Sequence, residues 1–188
     1  MVARQHAPGE GSMPCEGPVH LRRATIEDAA GIAQVHVDGW QRAHRDVVPA
    51  EYLDCQRAPG HADFWREELR LKAPDRAPWV ALLDDRIIGF ASGGIARDAD
   101  AERHTGEVYQ LFVAPECWEK GIRTNLMEHV VRDLQQHDFD QAVFWILAAD
   151  DTMRAFAEYV GWTTDGTNRL EECPGALVEE LRYTREPR

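Results

Sequence analysis

The run Ala142-Val-Phe-Trp-Ile-Leu-Ala148 constrains this chain most, because seven consecutive apolar residues offer no polar face to water. It predicts a central strand covered on both faces rather than an edge strand. A sheet built around such a strand needs helices on both sides, and the flanking segments supply them. Residues 121–136 place Leu126, Val130 and Leu134 on one helical stripe, and residues 151–160 repeat the pattern through Met153, Phe156 and Val160.

The remaining elements follow from the same periodicities. A short strand ends at Arg23, and Thr25-Ile-Glu-Asp28 has the form of a capping box that starts a helix. There Ile26, Ala29, Ala30, Ala33, Val37 and Trp40 recur at spacings of three and four, predicting a core-facing stripe with Glu27, Asp28, Gln34 and Asp38 toward water and Gly39 weakening the end. A second helix is predicted over 61–72, where Phe64, Trp65 and Leu69 share a face, with Pro49, Pro59 and Gly60 in connections. Two apolar runs, 79–83 and 86–92, flank Asp84-Asp85 and predict a hairpin closed by Gly93 and Gly94. Strands are predicted at 107–113 and 176–184. Together these give a mixed α/β fold, a single domain over 19–188 with one parallel strand pair where a helix joins two strands. Residues 1–18, rich in Gly, Pro and Ala without apolar periodicity, are expected to be a flexible tail.

Charge narrows the partners. With 33 acidic against 21 basic side chains the net charge is −12, which argues against nucleic acid or an anionic membrane and favours a cationic partner. No run of about 18 apolar residues could span a bilayer, and a cytoplasmic protein is expected. Cys15, Cys55, Cys117 and Cys173 are dispersed, without Cys-x-x-Cys pairs or Cys/His clusters, so reduced thiols are expected and neither a disulfide framework nor a metal site.

The segment Leu111-Phe-Val-Ala-Pro-Glu-Cys-Trp-Glu-Lys-Gly121-Ile-Arg-Thr-Asn-Leu126 reads as strand, Pro-containing turn and helix with a Gly at its mouth. A helix N-terminus presents unpaired N–H groups and a positive dipole end, and Lys120 and Arg123 add charge, so an anion could dock there; an ordinary strand-to-helix turn has the same form.

Three stretches together carry a resemblance: Leu21-Arg-Arg-Ala-Thr-Ile-Glu-Asp-Ala-Ala30 with His36 and Trp40; Gly106-Glu-Val-Tyr-Gln-Leu-Phe-Val-Ala-Pro115 with Trp118 and Lys120-Gly-Ile122; and Arg154-Ala-Phe-Ala-Glu-Tyr-Val-Gly-Trp162. In order and spacing the chain resembles the GCN5-related N-acetyltransferase family over most of 19–184. The resemblance implies a mostly antiparallel sheet with helices on both faces and a central parallel pair splayed to take acetyl-CoA as cosubstrate. It implies that the pantetheine pairs with the backbone of Leu111, Phe112 and Val113, and that the pyrophosphate sits on amides of Glu119, Lys120, Gly121, Ile122, Arg123 and Thr124. The family loop has the form Gln/Arg-x-x-Gly-x-Gly/Ala, whereas here Arg123 stands at the second small position. The implied activity is acetyl transfer to a primary amine of a small molecule or protein, and a homodimer is a family expectation.

Amine acetylation needs a route for the amine's proton and a proton for the leaving thiolate. Glu107 is the implied base, acting through water, although a solvated strand-end carboxylate would read the same way. The implied acid, a Tyr, is replaced by Ala157, and Tyr159 lies about 200° around the helix from it. The Asn found earlier in that helix is also absent, Asp150 being nearest. His36, Trp40 and His44, spaced by four, together with Tyr109 could form the acceptor wall, although such an array also serves a core. Trp65, Trp79, Trp145 and Trp162 are assigned to packing. The alternative is a catalytically weak or inactive relative that keeps the fold as a ligand-binding or interaction module.

Overall fold

The computed structural model describes residues 15–54, 58–173 and 175–186. Its elements are β1 (Val19–Arg23), α1 (Ala29–Ala43), α2 (Ala50–Leu53), α3 (Ala58–Leu71), β2 (Trp79–Leu83), β3 (Arg86–Ile95), β4 (Thr105–Val113), α4 (Ile122–Gln136), β5 (Gln141–Leu147), α5 (Asp151–Tyr159), β6 (Thr163–Cys173) and β7 (Ala176–Arg185). The strands form one sheet in the order β1-β2-β3-β4-β5-β7-β6. Every neighbouring pair is antiparallel except β4 and β5, which α4 joins in parallel.

The apolar run becomes β5, flanked by β4 and β7, and its Ala142, Phe144 and Ile146 enter the larger core beneath α4 with Leu126, Met127 and Val130. On the opposite face α1 and α3 close a second core around Ile32, Trp65, Val80 and Phe90. The hairpin turn forms at Asp84 and Asp85, both with positive φ, the geometry that matches the twist of its flanking strands.

Several local expectations change. Asp28 is buried instead of solvated, because Arg22 grips its carboxylate at 2.6 and 2.9 Å and the Thr25 N–H donates to it at 2.7 Å. Ile26, Ala30 and Phe64 are exposed. Pro59 and Gly60 lie in the first turn of α3, where proline's missing N–H costs nothing. Gly93 and Gly94 continue β3 to Ile95. Strand β6 was not foreseen, since its sequence Thr-Thr-Asp-Gly-Thr-Asn-Arg-Leu-Glu-Glu-Cys has no apolar alternation; as an exposed edge it needs none. Gly39 does not end α1. A Cβ there would collide with the Phe112 ring, so the missing side chain is what lets the helix sit against β4.

The thiols also depart from expectation. Residues 1–14 of the expected tail and Cys55 lie outside the described residues, but Cys15 is buried and bonded to Cys117, 102 positions along the chain. Spacing could not reveal this, because only the fold brings the segment before β1 against the turn after β4. Cys173 is free.

Two outcomes test this packing. Non-reducing peptide mapping should recover a Cys15–Cys117 cross-linked peptide, and reduction should lower stability by about 2–4 kcal/mol, as expected for closure of a long loop. Gly39→Ala should cost about 1–3 kcal/mol in chemical denaturation by overpacking against Phe112.

Candidate active site

The site begins where one ladder stops. β4 and β5 pair only from Thr105↔Gln141 to Val108↔Phe144. On its other side β4 matches Val108 with Gly93 and Gln110 with Ser92, leaving Tyr109 as an extra residue, a β-bulge. Val108 and Leu111 consequently join the same core cluster, although residues three apart face opposite ways in a regular strand. Beyond the bulge the facing edges of Tyr109–Val113 and Trp145–Leu147 have no strand between them. Such an edge presents unpaired N–H and C=O groups, which suit an extended ligand carrying amides.

Two clefts meet at this opening and share Ala43, Leu111, Phe112, Asp150 and Met153. The smaller, of about 280 Å³, runs past Leu111, Phe112 and Val113 to Trp118 and Arg123. At its end a 3-10 turn (Pro115–Lys120) leads to Gly121, whose φ of 68° is the left-handed conformation glycine adopts without strain. The first bond of the α4 ladder there runs from the Asn125 N–H to the Gly121 carbonyl at 3.0 Å, so the preceding amides stand outside the ladder. The Trp118 Nε1–H donates to the Val113 carbonyl at 2.8 Å and fixes the ring. Arg123 stacks over Trp118 at 4.7 Å and over Phe156 at 5.1 Å. An open strand edge, amides at the start of α4 that lie outside its ladder, and a cation in one groove fit the pantetheine and diphosphate of acetyl-CoA.

The larger cleft, of about 460 Å³, gathers His36, Trp40, His44 and Tyr109, four residues that the sequence had singled out. Trp40 and His44 stack at 4.3 Å, and His44 Nδ1 lies 2.9 Å from the Trp40 carbonyl. His36 takes the Trp65 Nε1–H on its Nδ1 at 3.3 Å among the rings of His61, Phe90 and Phe112. Burial and then the neighbouring His61 push its pKa down to about 4, so this imidazole is neutral at pH 7. Tyr109 donates its hydroxyl to the Ile95 carbonyl at 2.6 Å, and the Arg97 guanidinium lies 3.7 Å from its ring centre. Trp145 is not only packing, since it lines the cleft and donates Nε1–H to Asp98 at 3.0 Å. The wall from β6 and β7 carries Glu171, Glu172 and Glu180; of these Glu180 is paired with Arg169 at 2.8 Å, and the other two have no ion pair among the described residues.

Glu107 is not among the residues lining either cleft. It is 5% exposed, accepts the Arg97 N–H at 2.8 Å, and burial raises its pKa against the opposing effect of Arg97. Ala157 is buried and Tyr159 is 86% exposed, so the neighbouring hydroxyl does not substitute for the absent one. Asp150 lines both clefts, and its carboxylate caps α5 by accepting the Met153 N–H at 2.9 Å.

Sequence reasoning missed Arg42, Gln110, Asp150 as a lining residue, Met153 and the β6–β7 carboxylates. Arg42 left a signal, since it lies three residues after Gly39 and hence on the helical face that meets β4. The carboxylates left none, because β6 was not recognised as a strand.

Comparison with known proteins agrees with this geometry. The sequence profile described as "Acetyltransferase (GNAT) family" matches residues 39–162. The uncharacterized N-acetyltransferase YuaI of Bacillus subtilis is 28% identical over 144 residues, covering 75% of this chain and 79% of that protein. N-acetylaspartate synthetase of Rattus norvegicus is 28% identical over 142 residues, 74% of this chain and 45% of that protein, so the chain spans less than half of that enzyme's length. The structure of yncA from Salmonella typhimurium, solved with its cofactor acetyl-CoA, shares the fold with a TM-score of 0.68 at 16% identity, over 92% of this chain and 95% of that one.

The buried neutral His36 has a consequence for stability. An unfolded histidine protonates near pH 6.5, whereas folded His36 does so near 4, so the unfolded state binds more protons between these values. Stability should therefore fall as pH drops from about 6.5 toward 4, by up to about 2–3 kcal/mol from this group. Denaturation of His36→Phe over that range should show a shallower pH dependence than the wild type; parallel curves would refute the assignment. Glu107 works in the opposite direction but is common to both proteins and cancels in the comparison.

Proposed function

Because the chain belongs to the acetyltransferase (GNAT) family, we propose that it transfers the acetyl group of acetyl-CoA to a primary amine of a small molecule or a protein. The observation that carries the reading is the loss of β4–β5 pairing after Val108 and Phe144 at the junction of the two clefts. Bound there, acetyl-CoA supplies an activated acyl carbon and a thiolate leaving group.

Leu111, Phe112 and Val113 hold the pantetheine through their backbone, and Glu119, Lys120, Gly121, Ile122, Arg123 and Thr124 hold the diphosphate. The acceptor enters through the larger cleft against His36, Trp40, His44 and Tyr109. A cationic acceptor is favoured by Glu171 and Glu172 at its wall and by the net charge of −12. Aspartate, whose acetylated form names the rat relative, would meet those carboxylates unfavourably.

Glu107 receives the amine's proton through water, since it stands outside the cleft lining and burial raises its proton affinity. His36 is too weakly basic for that role. The thiolate departs with water as its proton source, and positioning provides much of the rate.

The reading places the protein in the cytoplasm, where the Cys15–Cys117 pair meets a reducing environment. It includes a homodimer and neither nucleic acid nor membrane as partner. A second reading, binding without turnover, is favoured by the alanine at position 157 and the outward Tyr159.

Thermal denaturation with acetyl-CoA separates these outcomes. A rise in Tm that grows with the logarithm of ligand concentration, worth about 2.7 kcal/mol at a hundredfold excess over Kd, is expected. Amine-dependent release of CoA should accompany it, and Glu107→Gln should lower kcat about 10²–10⁴-fold while leaving the Tm rise intact. Binding without release supports the second reading, and no rise at millimolar acetyl-CoA refutes both.

A further inference from the structure

The far end of the cofactor cleft holds two cations with no ion-pair partner among the described residues. Arg42 comes from the last turn of α1 and Arg123 from the first turn of α4, and their guanidinium carbons lie 4.6 and 4.7 Å from the centre of the same Trp118 ring. Neither makes an ion pair or side-chain hydrogen bond among the described residues, although both line the cleft. Burial and the nearby Arg42 both disfavour the charge on Arg123, and Asp150 opposes them. Convergent, partly desolvated like charges are costly unless an anion completes the site.

We propose that Arg42 and Arg123 form a side-chain clamp for the diphosphate of coenzyme A, closing on it from α1 and α4. The inference rests on the acetyl-CoA reading above and deepens it by adding Arg42 and a different mode of grip. A small residue at position 123 would let phosphate approach the backbone; an arginine there replaces that approach with a planar, bidentate donor. The stack on Trp118 orients both forks beforehand, and the ring is itself held by the Val113 carbonyl, so little side-chain freedom remains to be lost on binding.

The carboxylates nearby make the arginines more necessary. Asp46, Asp150 and Asp151 line the same cleft and repel a diphosphate. Asp151 is paired with Arg154 at 3.2 Å and Asp150 caps α5, so neither is ion-paired with the two arginines, although Asp150 favours the charge on Arg123. The clamp also ties cofactor to acceptor wall, because Arg42 follows Trp40 by two residues and precedes His44 by two on the same chain segment.

Calorimetric titration of the full chain with coenzyme A, dephospho-CoA and pantetheine tests the clamp, using wild type, Arg42→Gln and Arg42→Lys. Loss of a charge-assisted phosphate contact should weaken coenzyme A and dephospho-CoA alike by about tenfold or more in Arg42→Gln, leave pantetheine unchanged, and be partly restored in Arg42→Lys. Inorganic pyrophosphate should compete with coenzyme A in the wild type and much less in Arg42→Gln.

Equal weakening of all three ligands would mean that Arg42 only supports Trp118, and unchanged affinities would mean that it does not reach the ligand. A loss confined to coenzyme A would move the contact to the 3′-phosphate. Each overturns the clamp while leaving the acetyl-CoA reading in place, whereas a wild type that binds neither coenzyme A nor acetyl-CoA overturns that reading itself.

Discussion

The unfinished ladder between β4 and β5 is the constraint on which the rest of the structure depends. Four residue pairs hold the strands together, and then the bulge at Tyr109 turns β4 so that Leu111 and Val113 stay in the core beneath α4 while Phe112 faces α1. Had the pairing continued, two open backbone edges would have been consumed and no groove would exist between them. The separation is affordable because each strand keeps its other neighbour: β4 remains bonded to β3 through Val113, and β5 to β7 through Leu147. Gly39 then lets α1 approach closely enough to roof the opening, and the same helix carries His36, Trp40 and Arg42 to the two clefts.

Charge is distributed unevenly around this groove. The chain as a whole is acidic, yet the end of the smaller cleft concentrates Arg42 and Arg123 on Trp118, while the β6–β7 wall of the larger one carries Glu171 and Glu172. One continuous opening therefore carries two arginines, with Asp46, Asp150 and Asp151 beside them, at one end and two glutamates on the wall of the other. The loop that bears Trp118 is anchored from two directions, by the Cys15–Cys117 bond one residue earlier and by the bond from the Trp118 indole to the end of β4.

Much of this architecture was legible because it rests on local patterns. The seven apolar residues at 142–148 could satisfy their burial only at the centre of a covered sheet, Asp84-Asp85 favoured a tight turn between two apolar runs, and the stripes at 121–136 and 151–160 required helices over a core. Four residues singled out in the sequence by their spacing and strand position, His36, Trp40, His44 and Tyr109, line one cleft. The misses share a cause. Asp28 looked like a surface acid until Arg22 was placed beside it, Trp145 looked like core, and β6 carried no alternation because its exposed edge required none.

The sequence by itself determined the order of most elements, their amphipathic faces, the glycine at the mouth of α4 and the departure at Arg123, since each depends on residues within a few turns of one another. Only the tertiary structure decided that Cys15 would meet Cys117, that Arg42 and Arg123 would share a tryptophan, and that Glu107 would lie outside the cleft lining. These are encounters between distant segments, set by how the helices dock on the sheet and by where one bulge reverses the facing of a strand. Periodicity records which side of an element is buried; it does not record what the buried side meets.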